Sequence, residues 1–250
     1  MQHTSPGSLR YRLANFELNE LLGRENSLRA TGKINCIHCD RVIKKTFNQG
    51  YCFPCSQKLA ACDLCILKPE LCHFRFGTCR EPEWAKQNCL QDHVVYLANT
   101  AGLKVGITRG FKKFERWGDQ GATEAIEIAR VPERYIAGLM EVALVEHLAD
   151  KADWRKLLRG EELSLDLVAE RNKIPAIIKP EFEQFLVSDA EPVRLSYPVL
   201  RYPAKAVSLN FDKQPEISGE LLGIRGQYLL FPQGGLNMRK FGGYEIEFKT

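Results

Sequence analysis

The sequence predicts an α+β protein: strands and zinc knuckles first, a central sheet flanked by helices, and a small β domain last. Three observations carry this prediction. All nine cysteines fall between Cys36 and Cys89. From His93, short apolar runs alternate with segments of helical period. Beyond about Leu195, glycines separate runs in which apolar and polar residues alternate. Bulk composition agrees: a 250-residue chain with 44% hydrophobic and 26% charged residues excludes a long disordered or collagen-like chain. No stretch approaches the roughly 18 consecutive apolar residues of a membrane-spanning helix, so no membrane partner is expected. The opening residues MQHTSPGSLRYR carry neither an apolar core nor a cleavage site, and the chain is expected to be cytoplasmic. A net charge of +4 is mildly basic and compatible with nucleic acid.

Four segments follow in order. Residues 1–35 alternate polar and apolar positions (Leu9, Tyr11, Leu13; Leu28, Ala30) around Gly23 and Gly32, and read as short strands. Residues 36–92 are rich in cysteine and turn residues with little hydrophobic periodicity. Such a segment buries too little apolar surface to fold by itself, and metal is the obvious support. Residues 93–160 read as HVVYLAN and LKVGIT strands joined by Thr100-Ala101-Gly102, a short helix from Phe111 to Trp117, an AIEIARV strand from Ala125, and a helix opened by Pro132 through Leu148. A further helical stretch covers Trp154 to Leu158. Residues 161–250 are helical to about Val187, broken by Pro175 and Pro180, and then β-like, with ELLGIRGQYLLFP and LNMRKFGGYEIEF as strand pairs.

The cysteines are the sharpest signal. A cytoplasmic chain keeps its thiols reduced, and an odd count cannot pair fully. Cys36-x-x-Cys39 and Cys52-x-x-Cys55, twelve residues apart, have the spacing of two knuckles that complete a tetrahedral four-cysteine zinc site. Cys62-x-x-Cys65 with Cys72 and Cys79 supplies ligands for a second zinc, and His73 or Cys89 could take a place in that set. Both sites are expected to be structural, because a closed thiolate shell leaves no open position for chemistry.

The run Val94-Val95-Tyr96, then Lys104-Val105-Gly106, Arg116-Trp117 and Glu141 resembles the GIY-YIG nuclease pattern from Val94 to Leu148. The resemblance implies a three-stranded antiparallel sheet with flanking helices and a phosphodiester-cleaving endonuclease. It implies Tyr96, Lys104, Arg116 and Glu141 as catalytic residues, with Mg²⁺ held at Glu141. Val94 stands where the family has glycine, Lys104 where it commonly has tyrosine, and the family's downstream asparagine has no match.

Elementary chemistry supports the same roles. A carboxylate such as Glu141 can anchor Mg²⁺, a planar guanidinium such as Arg116 can clamp a phosphate, and Tyr96 or Lys104 can take or relay a proton. A plainer reading stands beside it: Tyr96 as a core aromatic, Arg116 and Lys104 as solvated charges, and Glu141 in a salt bridge to Arg116 or Arg109. Basic residues cluster at Arg109, Lys112 and Lys113, and at Arg41, Lys44 and Lys45 between the first knuckles; together they suggest a surface for a phosphate backbone. Over nearly its full length, through FNQGYCFPC, CDLC, KPELCH, GTCREPEW and LNMRKFGGYE, the chain is similar to a bacterial family of proteins of unknown function. Two functional readings follow: a zinc-containing nucleic-acid-binding protein with a Mg²⁺-dependent nuclease site, and a non-enzymatic zinc-stabilised adaptor for RNA or a ribonucleoprotein on a degenerate scaffold.

Overall fold

The computed structural model describes residues 1–3, 7–148 and 153–250. In chain order the main elements are β1 (Glu25–Asn35), β2 (Val42–Ile43), α1 (Phe53–Lys58), α2 (Pro82–Asn88), β3 (His93–Asn99), β4 (Leu103–Arg109), α3 (Lys113–Asp119), β5 (Glu124–Val131), α4 (Arg134–Val145), α5 (Trp154–Leu158), α6 (Leu167–Lys173), β6 (Glu216–Glu220), β7 (Gly223–Arg225), β8 (Tyr228–Phe231), β9 (Gly234–Asn237) and β10 (Tyr244–Lys249). Helices and several sheets together make the chain α+β.

Two compact units divide the chain along lines different from the four sequential segments. One comprises Met1–Lys58, Trp154–Glu161 and Ser196–Thr250; the other Leu59–Asp153 and Glu162–Leu195. The cysteine-rich stretch 36–92 is thereby split at Lys58. The connection after residue 161 packs with the central sheet rather than with the C-terminal strands.

In the first unit β1 is the organising strand. It pairs with β6 through Leu28↔Ile217 on one edge, with β10 through Leu28↔Phe248 on the other, and with β2 through Ile34↔Ile43. The N-terminal and C-terminal β segments are therefore one structure. A strand of eleven residues has two long edges to satisfy, and distant strands satisfy them. The expected pairing within LNMRKFGGYEIEF does not form. β9 ends at Asn237, a 3-10 turn covers Met238–Phe241, and β10 leaves to join β1. β7, β8 and β9 instead make a meander through Ile224↔Leu229 and Leu229↔Leu236, against which α5 packs Leu157 and Leu158.

In the second unit β3 lies between β4 and β5, antiparallel to both, and every one of its residues is buried. A central strand covered on both faces needs apolar side chains on both, which explains the unbroken HVVYLA run. Val95, Leu97 and Val105 join Ala137, Met140 and Leu144 of α4 and Leu167 of α6 in one core. α4 begins after Glu133, so Pro132 lies outside it, and it ends at Val145 rather than at Leu148. Residues 161–187 are less helical than their composition suggests. Only α6 is α-helical, capped by Asp166 accepting from the Ala169 N–H at 2.9 Å, and Pro175 and Pro180 open 3-10 turns. No helix among the described residues is long and apolar enough to cross a membrane.

Residues 59–92 form short 3-10 turns and α2, and they fold onto α4. The approach is close: a Cβ on Gly138 would stand 2.5 Å from the Glu70 nitrogen and 2.7 Å from the Pro69 carbonyl carbon. Arg134 seals the junction, donating from Nη2 to the Ile66 carbonyl at 2.6 Å and from its own N–H to the Cys89 carbonyl at 2.8 Å.

Candidate functional site

The first knuckle opens where β1 stops. The Cys36 N–H donates to the Arg41 carbonyl at 2.9 Å, and Asp40 turns the chain with a φ of 56°. Phe47 and Tyr51 exchange backbone hydrogen bonds of 2.8 and 2.9 Å, which bring the second knuckle back alongside. Cys55 then projects from α1. The four sulfurs of Cys36, Cys39, Cys52 and Cys55 lie within 4.8 Å of one another, with Cys39 and Cys52 3.8 Å apart. A zinc tetrahedron with Zn–S bonds of about 2.3 Å sets its sulfurs roughly 3.8 Å apart. These four thiols can hold a zinc ion.

Electrostatics at this site favour a cation. Burial opposes ionisation of Cys36, but N–H groups of Cys39, Cys52 and His38 outweigh it and bring the thiol down to about 6. Burial and the neighbouring thiols push Cys55 up to about 12. Without a counter-charge the four cannot all be thiolates, and a bound divalent ion removes that conflict. Arg41 faces the same sulfurs, Cys39 first, and they hold its pKa above the usual arginine value. Its charge is directed to the knuckles.

Of the second cysteine group, Cys65, Cys72 and Cys79 line one cavity together with Cys89, Asp63 and His73, and Cys62 is buried.

On the central sheet, the register pairs Tyr96 with Gly106 and Ala98 with Lys104. Paired residues share a face, so Tyr96 and Lys104 lie on the same face, one side-chain repeat apart. The Tyr96 ring covers Gly106: a Cβ there would stand 2.7 Å from Tyr96 Oη and 2.8 Å from Cζ, which is why this position is glycine. The other side of the ring meets Trp117 of α3 edge-on at 5.8 Å. Turned so that its oxygen faces the guanidinium, the Gln120 amide accepts from Arg116 Nε at 3.2 Å and Nη2 at 3.1 Å and donates to Tyr96 Oη at 2.7 Å. That orientation gives every group a complementary partner. Burial raises the Tyr96 pKa, Arg116 opposes the rise, and Glu141 adds to it. Arg116 and Glu141 are thus each within electrostatic reach of Tyr96. The fully buried phenol stays protonated and meets the Gln120 amide.

A profile described as "Protein of unknown function (DUF2797)" matches residues 23–246, nearly the full chain. The chain belongs to this family. No curated protein and no solved structure matches it.

In this DUF2797 chain the six basic residues expected along a phosphate backbone are distributed over both units. Arg41, Lys44 and Lys45 belong to the first, with Lys44 exposed and Lys45 5.2 Å above the Phe47 ring. Arg109, Lys112 and Lys113 belong to the second. There Lys112 pairs with Glu115 at 2.9 Å, Lys113 with Glu127, and Arg109 donates to Asn88 Oδ1 while stacking 5.5 Å from the exposed Phe111. Lys113, Glu127, Arg130, Phe111 and His93 help line a cavity of about 620 Å³. Burial depresses the His93 pKa to about 4, so its ring is neutral.

Two residues of the DUF2797 sheet face carry more than their sequence setting suggested. Gln120 follows Arg116 by four positions, one helical turn, and that spacing is the signal that links them. Glu127 sits opposite Tyr96 in the strand register, a carboxylate in an otherwise apolar run.

Proposed function

We propose that this chain is a zinc-containing nucleic-acid-binding protein whose central unit cleaves phosphodiesters with Mg²⁺, in the manner of GIY-YIG nucleases. The observation that supports this reading is the network centred on Tyr96: its ring fills the space over Gly106, its hydroxyl meets Gln120 and Arg116, and Glu141 is in electrostatic reach. Arg116, held by Gln120 through Nε and Nη2, would clamp a phosphate oxygen with its planar guanidinium. Lys104, on the Tyr96 face, exchanges the proton of the attacking water. Glu141 would hold Mg²⁺, which retains most of its waters and neutralises charge developing on the phosphate. Zinc at Cys36, Cys39, Cys52 and Cys55 holds the fold and takes no part in the reaction.

The assay is incubation of the protein with single- and double-stranded DNA and RNA plus Mg²⁺ or Mn²⁺. Glu141→Gln should remove cleavage while retaining nucleic-acid binding. Arg116→Ala should slow it by roughly a hundredfold, the usual effect of losing one preorganised donor. The other reading, a non-enzymatic adaptor for RNA or a ribonucleoprotein, is favoured by the complete burial of Tyr96 and by the carboxylate partners of Lys112 and Lys113. It predicts binding without cleavage, and cleavage no greater than that of Glu141→Gln decides in its favour.

A further inference from the structure

We infer that the cavity bounded by Phe111, Lys113, Glu127 and Arg130 receives one unpaired base of a single-stranded nucleic acid, with the Phe111 ring as its stacking platform. The inference rests on the nucleic-acid-binding reading and deepens it: it names the form of strand bound and does not depend on cleavage.

A shift in strand register builds the cavity. Residues three apart on a regular strand point to opposite faces. β5 departs from this, because its pairing with β3 passes from Val95↔Ala129 to Tyr96↔Glu127 and skips Ile128. Glu127 and Arg130 thereby come to one face, where Arg130 Nε meets the Glu127 carboxylate at 2.7 Å. Lys113 of α3 meets the same carboxylate. Bulges of this kind re-aim side chains beside functional sites.

Phe111 stands on the turn that leads into α3. The Gly110 N–H donates to the Asp92 carbonyl at 2.9 Å, and the Lys113 N–H donates to the Gly110 carbonyl, so both ends of the turn are fixed. The Arg109 guanidinium lies 5.5 Å from the ring centroid and donates to Asn88 Oδ1. Even so, the ring is 70% exposed. A ring held on a fixed turn beside a cavity, and mostly in water, gains apolar burial when a flat ligand covers it.

Size and charge select the ligand. A volume of about 620 Å³ has room for a nucleobase with its sugar. The charged side chains of the lining balance, Lys113 and Arg130 against Glu127 and Asp92. That balance does not suit a polyphosphate. It suits a neutral flat ring whose edge carries both donors and acceptors, which Lys113, Arg130, Asp92 and Gln91 can pair. A base inside a duplex has its edge taken by its partner and its faces by its neighbours, so only an unpaired one can enter.

The test is fluorescence anisotropy of the full chain with a short labelled mixed-sequence single strand, an abasic strand of the same length and the blunt duplex, in both DNA and RNA. Wild type should bind the intact strand roughly tenfold more tightly than the abasic one, the usual effect of one stacked base. Phe111→Ala should bring the intact strand down to the abasic level while leaving the abasic strand and the duplex unchanged. Phe111→Trp should keep the difference. The inference is overturned by a Phe111→Ala variant that binds the intact strand as tightly as wild type, by an equal loss for intact and abasic strands, or by a wild type that prefers the duplex. A wild type that binds no nucleic acid at low salt would overturn the underlying reading and this inference together, which keeps the two failures distinguishable.

Discussion

Glu127 is the residue whose behaviour can be predicted most closely. Its carboxylate is almost completely buried, meets Arg130 Nε at 2.7 Å and pairs with Lys113. Burial would raise its pKa, but the hydrogen bonds from Arg130 and Lys113 outweigh it and hold it below the ordinary carboxylate value. A carboxylate depressed on folding stabilises the native state above its unfolded pKa, about 4.3, and that contribution is lost as pH falls through the folded value. Glu127→Gln should therefore destabilise the chain at neutral pH, by about 1–3 kcal/mol for a buried charge-assisted network left incomplete. The gap between wild type and variant should close below pH ~4. Urea midpoints measured at both ends of that range check it, and a gap that stays constant with pH would show that Glu127 acts through packing alone.

This residue also marks what the sequence conceals. Lys112 and Lys113 read as a basic patch because their partners, Glu115 and Glu127, are assigned only by the helix turn and the sheet register. Local spacing, by contrast, made the Cys36–Cys55 knuckles legible, because a CxxC turn brings two sulfurs together without help from the rest of the fold.

At the scale of elements, α4 and the turns at 59–92 depend on one another. Glycine inside a helix is normally a weakness, and replacing it with alanine stabilises by up to about 1 kcal/mol. At Gly138 the sign should reverse, because the new Cβ would stand 2.5 Å from the Glu70 nitrogen, a backbone atom that cannot swing aside. Gly138→Ala should lower stability by roughly 1–3 kcal/mol, the range for forcing extra volume into packed structure. Thermal unfolding measures it, and an unchanged or raised Tm would show that the turns do not rest on α4. The sequence showed α4 as apolar nearly all round but not what covered it.

For the whole molecule, the central strands and the helices that carry Arg116 and Glu141 were readable from periodicity and from a family pattern spanning a short stretch of chain. The division into units was not. β1 pairs with β10 through Leu28↔Phe248, and no local signal joins positions so far apart. On the proposed reading Tyr96, Lys104, Arg116 and Glu141, from two strands and two helices, act as one site. Single-turnover cleavage by wild type, Lys104→Met, Glu141→Gln and the double variant tests this directly. Residues that act as a unit are not additive. Each single change should cost about a hundredfold or more, and the double variant should be no slower than the worse of the two. Losses that multiply, or wild-type cleavage no faster than Glu141→Gln, would contradict a single catalytic site built from these residues.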